Sequence, residues 1–164
     1  MTMAEPSKLQ LLRNSALAAE LSAEQCAVLA GVIDVRDLAD EEVLVEEGAT
    51  DDQLYIVVSG ALAVAKRVEP GGKWVNLQVL TKGDLAGELA FMGEDPRYAA
   101  LRAAGPTRIL CLKRDKLESL LAREPLIVYR VMRAIFRVVH GLLHRMALQA
   151  NELTNYIFKQ HGKY

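Results

Sequence analysis

Residues 54–80 read Leu-Tyr-Ile-Val-Val-Ser-Gly-Ala-Leu-Ala-Val-Ala-Lys-Arg-Val-Glu-Pro-Gly-Gly-Lys-Trp-Val-Asn-Leu-Gln-Val-Leu, and this stretch decides the fold class. Leu54–Val58 and Leu62–Val64 are short runs rich in β-branched residues on either side of the turn pair Ser59-Gly60. Pro70-Gly71-Gly72 then separates Val64–Val68 from Trp74–Leu80, a strong hairpin signal. The same texture extends outward, with Val43–Val45 before a turn at Gly48, a turn at Lys82-Gly83-Asp84, and a last strand over Thr107–Leu112. Many short strands joined by glycine-rich turns imply an antiparallel β jelly roll, here expected to close into a barrel over residues 32–113.

Helical patterns flank this core. Leu9, Leu12, Leu17, Leu21, Val28 and Leu29 recur at near-helical spacing within residues 1–31, broken around Asn14 and Ser22. Both are candidate N-caps, and Ser22-Ala-Glu-Gln25 has the form of a capping box, so two short helices are expected. Residues 114–164 are helical in pattern: Asp115 opens a short helix reaching Ala122, and Pro125 suits the first turn of a long one. There Met132, Ile135, Val139, Leu142, Met146, Gln149, Leu153 and Tyr156 alternate at spacings of three and four, a heptad seam suited to a homodimer. A stripe of Arg130, Arg133, Arg137, His140 and His144 lies beside it, either a solvated face or a contact for acidic groups.

The bulk numbers bound the function. Of 164 residues, 51% are hydrophobic and 25% charged, ordinary for a globular protein. The net charge of −1 conceals 8 Lys+Arg against 17 Asp+Glu in residues 1–100, and 10 against 3 in residues 101–145. Such a split implies two structural parts or a basic face with an acidic partner. No secretory signal or membrane-length apolar run is present, and Cys26 and Cys111 read as buried free thiols, so a cytoplasmic location is expected. All three histidines, His140, His144 and His161, fall in the C-terminal part, which argues against a metal centre on the strands. No catalytic serine or cysteine motif and no triphosphate-binding loop occurs, so no catalytic residues, metal or cofactor are expected.

The residues that carry the function lie in Gly83-Asp-Leu-Ala-Gly-Glu-Leu-Ala-Phe-Met-Gly-Glu-Asp-Pro-Arg-Tyr-Ala-Ala-Leu101. Gly87-Glu88-Leu89-Ala90 can start a short helix whose free N–H groups cradle a phosphate. Nine residues beyond Glu88 comes Arg97, a fixed cation suited to a pair of phosphate oxygens. A carboxylate for hydroxyls beside a guanidinium and amides for an anion suits a sugar phosphate, although Glu88 and Arg97 could equally form a salt bridge.

Gly87-Glu88-Leu89-Ala90 followed by Pro96-Arg97 resembles the phosphate-binding cassette of the cyclic-nucleotide-binding domain family, which includes catabolite activator proteins and protein kinase A regulatory subunits. Glu47-Gly48, Asp52, Leu54-Tyr55-Ile56, Gly60 and Lys82-Gly83-Asp84 also fall where that family has turns, an acid and an apolar-aromatic pair. The resemblance implies that Glu88 accepts from the ribose 2′-hydroxyl and that Arg97 pairs with the cyclic phosphate. The N–H groups of Leu89, Ala90, Tyr98 and Ala99 would complete the cradle, Gly87 would permit close approach, and the base would lie against apolar barrel residues. Three positions depart from the pattern: Tyr98 for a small residue, Ala100 for a hydroxyl-bearing one, and Ala86 for an aromatic. Tyr98 either crowds the phosphate or points into solvent. The expected function is a non-catalytic sensor of cAMP or cGMP that signals to a separate protein. The alternative is a ligand-free, dimeric interaction module on the same fold. Fewer than ten residues follow Tyr156, too few for a helix-turn-helix, so DNA binding in that mode is not expected.

Overall fold

The computed structural model describes residues 6–161, and the side chains up to residue 159. The outer ends of the expected N- and C-terminal units, residues 1–5 and 162–164, and the side chain of His161 lie outside the described residues. Two short helices, α1 (Lys8–Arg13) and α2 (Ala23–Ala30), flank a 3₁₀ turn at Ala16–Ala18. Ser22 and Gln25 form the expected capping box. Ser7 and Gln10 form a second one, while Asn14 closes α1 as its C-cap instead of opening a helix.

Eight strands follow: β1 (Ile33–Leu38), β2 (Val43–Val45), β3 (Gln53–Ser59), β4 (Leu62–Arg67), β5 (Trp74–Leu80), β6 (Leu85–Ala86), β7 (Ala100–Ala103) and β8 (Thr107–Lys113). A one-turn helix α3 (Glu88–Met92) separates β6 from β7, and α4 (Arg114–Glu118) and α5 (Pro125–His161) complete the chain. Every strand pairing is antiparallel. The architecture is a jelly-roll-like sandwich, and it corrects the expectation of a closed barrel. The strands form two four-stranded sheets, ordered β1-β8-β3-β6 and β2-β7-β4-β5, with no ladder joining one to the other. Two of the open edges are strands of only two and three residues, β6 and β2, which offer little unpaired backbone.

The β1-β8-β3-β6 sheet is covered on both faces, and strand alternation divides its side chains between two cores. Tyr55, Val57, Ile109 and Cys111 meet Val45, Leu62, Val64 and Leu101 between the sheets. Leu54, Ile56, Leu110 and Leu112 face the other way, onto Leu12, Leu17 and Leu29 of the N-terminal segment and Ile127, Val131 and Ile135 of α5. Double coverage explains the unbroken apolar run in β3. Both cysteines are free and buried, and burial pushes the Cys111 thiol up to about 11.

The charge split along the chain closes within one molecule. Asp37 pairs with Arg108 at 2.6 Å, Glu41 with Arg102 at 2.5 Å, and Glu20 with Arg133 at 3.5 Å and with Arg137. Arg130 donates to Gln25 at 2.6 Å. The arginines of the helical stripe therefore clamp α5 to the N-terminal segment of the same chain; His140 and His144 are exposed, and His140 stacks on Phe136.

The 37 residues of α5 span about 55 Å at the usual helical rise. Its first half is core: Ile127, Val131, Ala134 and Ile135 are buried. From Leu143 onward every described residue is exposed. The expected seam is thus divided, because Ile135 is buried in the chain's own core and Met132 and Val139 pack against it. Met146, Leu153 and Tyr156 of the expected seam are exposed, together with Phe136, Leu143, Leu148, Ile157 and Phe158 outside it.

Candidate functional site

Strand β6 delivers the chain to Gly87, which takes a left-handed conformation (φ 84°) as N-cap of α3. Glycine adopts that conformation without strain. A Cβ on Gly87 would stand 2.1 Å from Nη1 of Arg97, so the backbone turn and the guanidinium occupy one close contact. Phe91 is the first residue of α3 whose N–H finds an acceptor, Gly87 O at 2.9 Å, and the N–H groups before it have none within the helix. The carboxylate of Glu88 is half-buried and forms no hydrogen bond or ion pair among the described residues.

Arg97 is held differently. It is 6% exposed, buried where an unpaired charge would be strongly destabilising. Nη2 donates to the carbonyl of Gln53 at 2.6 Å and lies 3.2 Å from Oδ2 of Asp51. The Tyr55 ring centre is 5.6 Å from Cζ. Its backbone is pinned as well: Arg97 N–H donates to Ala49 O at 2.9 Å, and Gly48 N–H donates to Arg97 O at 2.7 Å. Nε is buried with no hydrogen-bond partner among the described residues. An orphaned charged donor at this depth calls for an acceptor, and an anionic oxygen meets that demand. The Glu88–Arg97 salt bridge left open by the sequence is not formed.

Asp51 completes the arrangement. Oδ1 accepts from Gln53 N–H at 2.8 Å, and Oδ2 accepts from the Tyr55 hydroxyl at 2.5 Å. Burial first, and then the Asp51 carboxylate, push the Tyr55 hydroxyl far above its ordinary value, so it remains a proton donor. The residues matched by sequence were Asp52 and Tyr55; the acid that reaches Arg97 is Asp51. Both acids precede β3, and it is the side chain of Asp51 that turns to the Tyr55 hydroxyl and Arg97, a choice no periodicity before the strand announces.

The remaining nominated residues fall on both sides of the backbone. Ala99, 4% exposed, lies in the core between the sheets, and Ala90 is a buried residue of α3. Leu89 is 63% exposed and Tyr98 61% exposed, so the tyrosine does not fill the interior. Lys66 Nζ stands 6.0 Å from the Tyr98 ring centre and pairs with Glu47 at 3.0 Å. A cleft of about 570 Å³ also touches α3 through Ala90 and is lined by Asp51 as well, but by neither Glu88 nor Arg97. Its wall carries Asp51, Asp52, Glu94 and Asp95, a poor surface for a phosphate despite Lys113 and Arg114.

The fold is a jelly-roll-like sandwich with a buried arginine beside a glycine-started turn, and comparison with known proteins assigns its family. The profile of the cyclic nucleotide-binding domain matches residues 35–124, more than half of the chain. The chain belongs to the cyclic nucleotide-binding domain family. It is 30% identical over 112 residues to a CRP-like cAMP-activated global transcriptional regulator of Mycobacterium tuberculosis, covering 68% of this chain and 46% of that protein. It is 28% identical over 117 residues to a cGMP-dependent protein kinase, isozyme 1, of Drosophila melanogaster, covering 70% of this chain and 15% of the kinase. The chain therefore spans less than half the length of these relatives. Among solved structures, the N-terminal domain of a transcriptional regulator from Streptomyces coelicolor superimposes with a TM-score of 0.68 at 29% identity, covering 83% of this chain and 94% of that one. A cyclic nucleotide-binding domain from Methylobacillus flagellatus gives a TM-score of 0.72 at 23% identity, over 84% and 76% of the two chains, a likeness of fold. Among the described residues, no helix is long and apolar enough to cross a membrane.

Proposed function

We propose that this chain is a non-catalytic sensor that binds cAMP or cGMP at the cassette and signals to a separate protein in the cytoplasm. The observation that carries the reading is the buried, unpartnered Nε of Arg97 beside the turn at Gly87. The cyclic phosphate would accept from that donor and from the N–H groups of Leu89, Ala90, Tyr98 and Ala99, while the unpaired carboxylate of Glu88 would accept from the ribose 2′-hydroxyl. Membership of the family supports a nucleotide over other sugar phosphates.

A route for the signal is built into the packing. Phe91 of α3 is 1% exposed and shares its core with Ile127, Val131 and Ile135 of α5. Movement of the cassette would therefore be felt by the long helix, to the extent that the ligand prefers one arrangement over another. The exposed apolar residues Phe136, Leu143, Met146, Leu153 and Ile157 support homodimerisation through α5. The rival ligand-free module would need a free basic stripe, and Arg130, Arg133 and Arg137 are already engaged by Gln25 and Glu20.

Calorimetric titration of nucleotide-free protein with cAMP and with cGMP tests the reading. Micromolar binding of either, lost in Arg97→Ala, is the expected result. No heat with either would overturn it in favour of the interaction module. Sedimentation of Leu143→Lys/Met146→Lys against the unaltered chain tests the dimer: loss of a dimeric species is expected, and an unchanged mass rejects this seam.

A further inference from the structure

We propose that a cleft at the far end of β3 is a second ligand site, built for a small carboxylate with a short aliphatic chain. The cleft encloses about 370 Å³ between α1 and the turn that joins β5 to β6, a volume in the range of small-molecule sites. Gln53, whose carbonyl holds Arg97, and Ser59, which lines the cleft, stand at opposite ends of β3, about 20 Å apart at the usual strand rise. The cleft touches none of Gly87, Glu88 and Arg97, so the proposal stands whether or not the cassette takes a nucleotide.

The walls are held in place by the fold. Backbone bonds staple the turn to β3: Gly83 N–H donates to Val57 O at 2.8 Å, and Val57 N–H donates to Asp84 O at 3.0 Å. The register between β3 and β8 shifts between Val57 and Ser59, a bulge that leaves Val58 without a cross-strand partner on β8. Leu11 of α1 and Val58 are half-buried at the margin of the core formed with the N-terminal segment, and Ile56 is buried within it. All three line the cleft and give it an aliphatic wall.

The polar groups select the head of the ligand. Asn14, Ser59 and Lys82 also line the cleft, and among the described residues their side chains form no hydrogen bond or ion pair. Arg108 lines it too, but its guanidinium is committed to Asp37 at 2.6 Å. No described aspartate or glutamate lines this cleft, whereas four line the larger one beside α3. An uncommitted ammonium, an amide and a hydroxyl in one cleft match a single negative charge that accepts hydrogen bonds. The aliphatic wall matches a chain attached to that charge. A phosphate monoester, with a charge near −2, would exceed what Lys82 can neutralise.

Octanoate is the probe, with octanamide lacking the charge and acetate lacking the chain. Each is titrated into the full chain and followed by backbone amide shifts in nuclear magnetic resonance. Octanoate should bind with a dissociation constant of about 0.1–1 mM, the scale of one charge-assisted hydrogen bond and a partly covered chain. The shifts should centre on Asn14, Ser59 and Gly83 and spare Gly87 and Arg97. Octanamide and acetate should each bind at least about tenfold more weakly. In Lys82→Gln, octanoate affinity should fall about tenfold while octanamide affinity stays the same, so that removing the charge from ligand and protein together costs no more than removing either one. Lys82 is exposed, so this variant keeps the fold.

Equal affinity for octanoate and octanamide overturns the proposal, as does octanoate binding unchanged in Lys82→Gln. Shifts centred on the cassette, or no shift up to about 10 mM octanoate, overturn it as well. Titration with cAMP and cGMP is read separately: failure of either measurement leaves the other standing.

Discussion

Nine residues separate Glu88 from Arg97 on the cassette, and the fold treats these two opposite charges in contrary ways. Arg97 is buried, pinned through its backbone to the turn at Gly48 and Ala49, and paired with Asp51. Glu88 stands at the head of a one-turn helix, half-buried and without a partner among the described residues. Arg97 therefore belongs to the folded architecture as much as to the proposed ligand site, whereas Glu88 is carried by the architecture without supporting it. The physical reason is desolvation: a buried cation must be neutralised by the protein itself, and a carboxylate at the surface can wait for its hydrogen bond.

The contrast breaks most readily at Arg97. Replacement by alanine strands Asp51 in a mostly buried setting and should lower stability by about 2–4 kcal/mol, with cyclic-nucleotide affinity reduced by roughly a hundredfold or more. Urea denaturation and calorimetry would measure both; unchanged stability would refute the structural role. Gly87→Ala comes next. Its Cβ collides with Nη1 and its φ is unfavourable, so about 1–3 kcal/mol of stability should be lost together with affinity, although no charge is altered. Glu88→Gln sharpens the other side of the comparison: affinity down by about tenfold, with stability within roughly 0.5 kcal/mol of the unaltered chain. A large drop in melting temperature would show that Glu88 has a structural partner after all. Tyr98→Ala should do least, shifting stability by no more than about 0.5 kcal/mol, because the ring is largely solvent-exposed. A marked gain in affinity would mean that the ring obstructs the phosphate.

Much of this was legible in the chain. Strand spans Val43–Val45 and Trp74–Leu80, the hairpin at Pro70-Gly71-Gly72, the capping box at Ser22 and the start of α5 at Pro125 follow from local propensity and turn chemistry. These signals act over a few residues and survive without any tertiary context. Strands β1, β6 and β7 escaped: β6 and β7 are short and, unlike β2, hold no β-branched residue, and β1 is interrupted by charged residues. The division of β strands into two open sheets escaped because pairing between distant segments leaves no mark on either one.

The long helix shows the same boundary. Its heptad spacing predicts a seam containing Ile135 and Val139. Packing of α5 on the N-terminal segment covers Met132, Ile135 and Val139 of that seam and leaves its later members Met146, Leu153 and Tyr156 exposed, beside Phe136, Leu143 and Ile157. Periodicity establishes that a helix has an apolar face; which element covers it is a property of the assembled core. The charge split was likewise visible as an asymmetry, but its resolution into Asp37–Arg108, Glu41–Arg102 and Glu20–Arg137 pairs depends on strand register and helix placement.

The sequence by itself determined that Gly87, Glu88 and Arg97 lie on one short cassette between strands, since their spacing and the helix-starting glycine are local facts. Only the tertiary structure decided that Arg97 turns inward to Asp51, Gln53 and Tyr55, that Glu88 stays unpaired, and that Tyr98 faces out. The reason is that burial assigns partners. Forty-four residues separate Gln53 from Arg97 along the chain, and no local preference can state which distant carbonyl, carboxylate or ring will surround a charge once water has been removed from it.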